Sequence, residues 1–167
     1  MNDNDYKKFL DIGIFYIQNG KCKEGIENIN KSLEIKDDWE IPYFYRAVAY
    51  QTLNEFDNAM LDYTKALSIN SNMPDAYYNR ARILLTRKDI ENPDFYQAIE
   101  DLTKALELDK NFIDALYTMA VAQMKIENYE ESLRYLDRLL EIEPDGINSR
   151  ALRKLLLKKY INKEEQE

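Results

Sequence analysis

The residues of this chain that could do acid–base work are its adjacent carboxylates, Asp37-Asp38, Glu130-Glu131 and Glu164-Glu165. Two carboxyls act as a catalytic acid and base only where their surroundings push the two pKa values apart. These pairs fall on turns, helix starts and a polar tail, where solvation and the helix dipole favour the ionised form of both. The sequence holds no histidine and one cysteine, Cys22, which excludes imidazole general bases, Cys-His nucleophiles, and thiolate or imidazole metal sites. Its four glycines, Gly13, Gly20, Gly25 and Gly146, form neither a GxGxxG turn nor a GxxxxGK phosphate loop. No run of alternating Asp and Asn ending in Gly offers a calcium loop. The residue types therefore point to no enzyme, no metal and no cofactor.

What remains is recognition chemistry. The stretch PDAYYNRARILL, Pro74 to Leu85, sets Arg80 and Arg82 among tyrosines. A guanidinium matches a carboxylate geometrically, and tyrosine with arginine is the composition of binding hot spots. Whether these side chains are packed or offered to a partner depends on the elements that carry them.

At 167 residues with 23 Lys+Arg against 31 Asp+Glu, the chain has the size and composition of one soluble globular domain, 1–167. A single cysteine allows no internal disulfide, and the start MNDNDYKKFLDIG lacks the basic flank and apolar run of a secretory signal. No apolar stretch is long enough to span a membrane. A cytoplasmic setting is expected, with no membrane partner. Charge is uneven: Ile147–Lys163 carries six Lys or Arg and no acid, while residues 1–146 carry 17 basic and 28 acidic residues. Nucleic acid is an unsuitable partner for so acidic a body.

Self-comparison gives the organisation. FDNAMLDYTKALSIN (Phe56–Asn70), FYQAIEDLTKALELD (Phe95–Asp109) and YEESLRYLDRLLEIE (Tyr129–Glu143) align without a gap, and CKEGIENINKSLEIK (Cys22–Lys36) repeats the pattern in weaker form. Upstream of each lies a second amphipathic segment: FLDIGIFY, YFYRAVAY, YYNRARIL and LYTMAVAQ. Apolar residues three and four apart with few glycines predict helices throughout, so the chain is four helix pairs in series. Small residues recur at Gly13, Ala47, Ala81 and Ala120 in the first helices, and at Gly25, Ala59, Ala98 and Ser132 in the second. Two helices approach closely only where no bulky side chain separates their backbones.

This unit resembles the tetratricopeptide repeat, whose first helix carries an aromatic, a small residue four later and an aromatic three beyond, and whose second carries a small residue and an aromatic four later. The repeats run 6–39, 40–73, 74–112 and 113–146. The resemblance implies an all-α, right-handed helical solenoid of four antiparallel helix pairs. Departures are Gln123 in place of an aromatic, Leu139 in place of a small residue, and the unit-ending proline present only as Pro144. The third repeat is five residues long in excess, near 88–94, and is expected to hold a surface insertion. After Gly146, Ile147, Ala151, Leu152, Leu155, Leu156 and Ile161 form an apolar stripe on a basic segment. The expectation is a capping helix, 147–163, which seals the last repeat, before an acidic tail, 164–167.

In this family the first helices line a concave channel. The resemblance thus implies a lining of Leu10, Ile14 and Ile17 from the first repeat and Phe44, Val48 and Gln51 from the second. The third repeat adds Tyr78, Arg82 and Leu85, with Asn79 at the edge, and the fourth adds Tyr117, Val121 and Met124. So apolar a surface predicts a protein interaction module that holds a short apolar or amphipathic peptide, with an acidic group meeting Arg82. A self-associating array, or an escort for a secreted substrate, is the alternative. Members that hold the acidic tails of chaperones carry Lys and Asn at set places. Here those places hold Leu10, Ile14, Tyr45 and Asp75, with Asn79 alone in agreement, so a chaperone-tail clamp is not expected. By the same register Tyr77, Ala81 and Leu84 should be core, which gives the neighbours Tyr77 and Tyr78 opposite burial.

Overall fold

A computed structural model of the protein describes residues 5–87 and 94–164, with side chains to residue 159. The described residues form helices and no strand: α1 Asp5–Gln18, α2 Cys22–Ile35, α3 Glu40–Thr52, α4 Phe56–Ile69, α5 Pro74–Thr86, α6 Phe95–Leu108, α7 Ile113–Lys125, α8 Tyr129–Ile142 and α9 Ile147–Glu164. The helix order follows the repeat found in the sequence, one pair per period. The third pair is longer by the insertion, most of which lies outside the described residues. At its far edge Asp94 caps α6 by accepting the Gln97 backbone N–H at 2.9 Å, which satisfies a donor the first helical turn leaves orphaned.

The chain divides into two compact units, Met1–Ala76 and Tyr77–Glu167. In the first, α1 and α2 run antiparallel at backbone contact. A Cβ built on Gly13 would stand 2.6 Å from Ile29 Cγ1 and 3.0 Å from the Gly25 carbonyl oxygen, so nothing larger than glycine fits without movement. The Ser32 hydroxyl donates to the Tyr6 carbonyl at 2.7 Å. In α3 and α4 the small residues are Ala47 and Ala59, both fully buried. In the second unit Ala81, Ala98 and Ala120 are likewise fully buried, and the Ser132 hydroxyl donates to the Ala120 carbonyl at 2.6 Å. The small-residue positions are thus the places where paired helices meet.

Three of the turns within pairs share one device. Gly20, Asn54 and Glu127 occupy the same place in their repeats and all adopt left-handed backbone, φ 74, 60 and 61°. The following N–H groups, of Lys21, Glu55 and Asn128, donate to the carbonyls of Tyr16, Tyr50 and Gln123, each at 2.9 Å. This closes the first helix and reverses the chain.

The terminal helix α9 packs Leu156, fully buried, into a cluster with Ala120, Tyr129 and Leu136, and Leu152 leans on the same cluster. Ile147, Ala151 and Leu155 of the predicted stripe do not follow, and the side chain of Ile161 lies outside the described residues. Ile147 is 79% exposed and Leu155 59%, and Ala151 is exposed as well. The reason is geometrical: at 3.6 residues per turn, positions 147, 151 and 155 fall on a face about 100° round the helix from 152 and 156. One helix face cannot bury both sets.

Candidate functional site

The expected channel residues are best followed within each unit. On α3 of the first unit, Phe44 meets Tyr63 edge-on with ring centroids 5.9 Å apart and Tyr45 at 5.4 Å. Gln51 Oε1 accepts the Tyr63 hydroxyl at 2.8 Å. Tyr63 itself is fully buried, so Phe44 and Gln51 are partly used in seating it, and both are half-buried together with Val48. Leu10, expected to line the channel, is 2% exposed and belongs to the core.

In the second unit α5 carries Tyr78 half-buried, its ring 5.0 Å from that of Phe112 and tilted by 49°. Phe112 is the residue preceding α7, where it forms the helix N-cap. Arg82, one turn along α5, is exposed and holds its guanidinium carbon 5.7 Å from the Tyr78 ring centre, within range of a cation–π attraction. Asn79, Leu85 and Val121 are half-buried. Tyr117 and Met124 are half-buried and pack in part against the α7–α8–α9 cluster built on Ala120, Leu136 and Leu156. The expected contrast between Tyr77 and Tyr78 is absent: both are half-buried. Tyr78 is covered by Phe112, and Tyr77 has Arg80 over its face at 5.8 Å. The large apolar residues that are most exposed lie elsewhere, among them Leu61, Tyr96, Ile147 and Leu155.

Two ion pairs escaped the sequence analysis. Arg46 Nε and Nη2 donate to Asp62 at 2.6 and 2.8 Å, and Nη1 donates to Asn30 Oδ1 at 2.6 Å. Arg80 makes the same bidentate fork to Asp101 at 2.8 and 2.7 Å. Both carboxylates are nearly buried. At Arg46 burial opposes the charge most strongly, yet the hydrogen bond and charge of Asp62 outweigh it and hold the pKa above its ordinary value. At Arg80 the hydrogen bond it donates to Asp101 is the largest cause of the same upward shift. The signal was present: Arg46 and Arg80 are one period apart, and Asp62 and Asp101 one period plus the insertion. Each pair of charges joins the two helices of a repeat and is a packing element; Arg80 and Asp101 are also part of the wall of a cleft of about 400 Å³ with Tyr77, Gln97 and Lys104.

Two of the three acidic pairs have structural positions, while the side chains of Glu164 and Glu165 lie outside the described residues. Glu130 and Glu131 both bind Arg134 on the surface of α8, and Asp38 lies 3.6 Å from Lys36. The Cys22 thiol is buried and free at the start of α2. Among the described residues no group of three or more His, Cys, Asp or Glu is placed to hold a metal ion, and no helix is long and apolar enough to cross a membrane.

Comparison with known proteins places this geometry. Residues 43–73 and 74–112 match the family described as tetratricopeptide repeat, and residues 113–165 match the Fis1 C-terminal tetratricopeptide repeat. The chain is similar to sperm-associated antigen 1 of Mus musculus, 34% identical over 76 residues that make up 44% of this chain and 8% of that protein. The Homo sapiens protein of the same name is 29% identical over 83 residues, 48% of this chain and 9% of that one. The chain thus spans under a tenth of the length of the curated relatives it matches. Among solved structures, MamA aligns over 87% of this chain and 82% of its own with a TM-score of 0.77 at 21% identity. The first TPR of Spaghetti (RPAP3), bound to the HSP90 peptide SRMEEVD, aligns over 73% of this chain and 93% of its own with a TM-score of 0.66 at 20% identity. At such identities the likeness is one of fold.

Proposed function

The chain belongs to the tetratricopeptide repeat family, and on that premise we propose that it is a non-catalytic interaction module holding a short apolar or amphipathic peptide of another protein. The site is centred on α5 in the second unit. The observation that carries this is the fixed arrangement of Tyr78, Phe112 and Arg82: two rings in contact and an exposed guanidinium held beside them. A tyrosine whose ring is already packed loses little conformational freedom when a ligand covers it, and the arginine adds a directional bond to a carboxylate. Asn79 and Leu85 flank this platform on the same helix, with Val121 on α7 as a further apolar contact. Phe44, Val48 and Gln51 take the corresponding positions of α3 in the first unit. Tyr117 and Met124, half-buried and packed in part against the core cluster, are the further α7 residues of the proposed lining.

We infer that the ligand differs from a chaperone tail, because Leu10, Ile14, Tyr45 and Asp75 occupy places where that sub-class resembles itself in Lys and Asn. The test is selection from a displayed peptide library, followed by calorimetric titration of the selected peptides. Selected ligands should carry apolar residues beside a carboxylate and should bind about tenfold more weakly to a Tyr78→Ala/Arg82→Ala variant. Equal affinity for the variant, or preferential selection of EEVD-ended peptides, contradicts the assignment.

A further inference from the structure

Helix α9 has two apolar faces and uses one. Leu152 and Leu156 close the α7–α8 cluster, while Ile147 and Leu155, 79% and 59% exposed, form with Ala151 a second stripe turned to solvent. The residues are four apart, so they stand in one line, and eight residues of helix extend about 12 Å, the length of two helical turns. Arg150, Lys154 and Lys158 stand three or four residues from members of the stripe and therefore border it. Between Ile147 and Lys163 the chain has six basic residues and no acidic one. On the side nearer α8, Arg150 and Lys154 line a cleft of about 600 Å³ with Arg153, Asp137, Leu140, Glu141 and Leu157; there Arg153 donates to Asp137, and Arg150 lies 3.4 Å from Asp145 on the exposed surface.

Apolar residues in a line with cations on their flanks form the complement of one kind of partner. We propose that the exposed face of α9 docks an acidic amphipathic helical segment of another protein, whose apolar residues cover Ile147 and Leu155 and whose carboxylates meet Arg150, Lys154 and Lys158. Charge decides between occupants. A second α9 would bring two basic helices together, which like-charge repulsion opposes. Nucleic acid would use the cations and leave the stripe uncovered. A membrane-surface helix needs a broad apolar face, whereas Leu152 and Leu156 are already committed to the core. This surface is separate from the α5 platform and does not depend on it.

The test uses the full chain and fluorescence polarisation of a labelled synthetic helix with leucines three and four apart and glutamates on its flanks. Saturable binding is expected, weakened about tenfold by Leu155→Asp and, separately, by Lys154→Glu/Lys158→Glu, and weakened by added salt. It should persist in Tyr78→Ala/Arg82→Ala, which separates it from the α5 site. Circular dichroism and the thermal midpoint establish that each variant is folded. The proposal is overturned if the acidic helix does not bind, if both α9 variants bind it as wild type does, or if a lysine-flanked helix, a duplex oligonucleotide or phosphatidylserine vesicles bind as well as the acidic helix. Self-association that Leu155→Asp abolishes would overturn it too, by assigning the face to a second copy.

Discussion

The helix pairs α5–α6 and α7–α8 are the same element by period, yet they fill one equivalent space with opposite chemistry. Between α5 and α6 it holds the Arg80–Asp101 fork, as α3–α4 holds Arg46–Asp62. Between α7 and α8 the equivalent positions are Met119, fully buried, and Tyr135, half-buried against the core. The first pair has Ile12 and Asn28 there. One fold therefore accepts an ion pair or an apolar pair at the same place. Removing two charges from water costs about what their attraction returns, so a buried pair is weak support for stability and a broken one is a liability.

That difference can be broken at its strongest point. Asp101→Ala leaves a largely buried guanidinium without its carboxylate and should destabilise the fold by about 3 kcal/mol in urea unfolding. The double change Arg80→Met/Asp101→Tyr, which copies α7–α8, should fall within about 1 kcal/mol of wild type. If the double change is as costly as the single one, the two chemistries are not interchangeable. Next in size is Gly13→Ala, which asks whether α1–α2 shares the wider spacing of the alanine-containing pairs. With its Cβ 3.0 Å from a backbone oxygen it should cost about 2 kcal/mol by overpacking, whereas an unchanged denaturation midpoint would mean the first pair relaxes freely. Smaller, and opposite in sign, is Gln123→Leu. Gln123 is 8% exposed and its Oε1 has no hydrogen-bond partner, at a place where the first two repeats have tyrosine and the third leucine. Leucine should gain about 1 kcal/mol, and a loss would show that the amide is satisfied in solution.

The smallest effect is one of pH. Burial, followed by the charge of Glu131, raises the Tyr135 pKa above its ordinary 10.0 against the lowering influence of Arg138. The folded state then holds this proton more tightly than the unfolded chain, so its contribution is complete below pH 10.0 and declines as pH rises through the folded-state value. Tyr135→Phe should flatten that decline in alkaline unfolding curves, and an unchanged slope would assign it elsewhere, for example to Tyr50, which burial also shifts upward.

Much of the architecture was legible from residue types. Ala47, Ala59, Ala81 and Ala98 recur at the period and prove fully buried, because close approach of two helices leaves no choice of side chain there. Two features were not legible for a common reason. Arg46 and Asp62 look like any solvated helical charges until the partner helix brings them together. Tyr77 and Tyr78 receive opposite fates from the register, but Arg80 and Phe112 cover each in part. The apolar residues of α9 differ in kind, because helical period alone sets 147, 151 and 155 on another face than 152 and 156. Period fixes which way a residue points, whereas exposure depends on what neighbouring side chains place over it. Binding surfaces are defined by exposure, so the register points to Tyr78 and Arg82 of the proposed α5 platform but not to Phe112, which only the fold brings to Tyr78.

The most direct test of the α5 platform as a peptide site is a residue-resolved NMR titration of the labelled chain with a library-selected peptide. The largest amide and ring shifts should cluster on Tyr78, Asn79, Arg82, Leu85 and Phe112, and Arg82→Ala should reduce them at the same subsaturating peptide concentration. Saturable binding whose shifts fall wholly outside α5 and α7, with Arg82→Ala behaving as wild type, would contradict a peptide site at this platform.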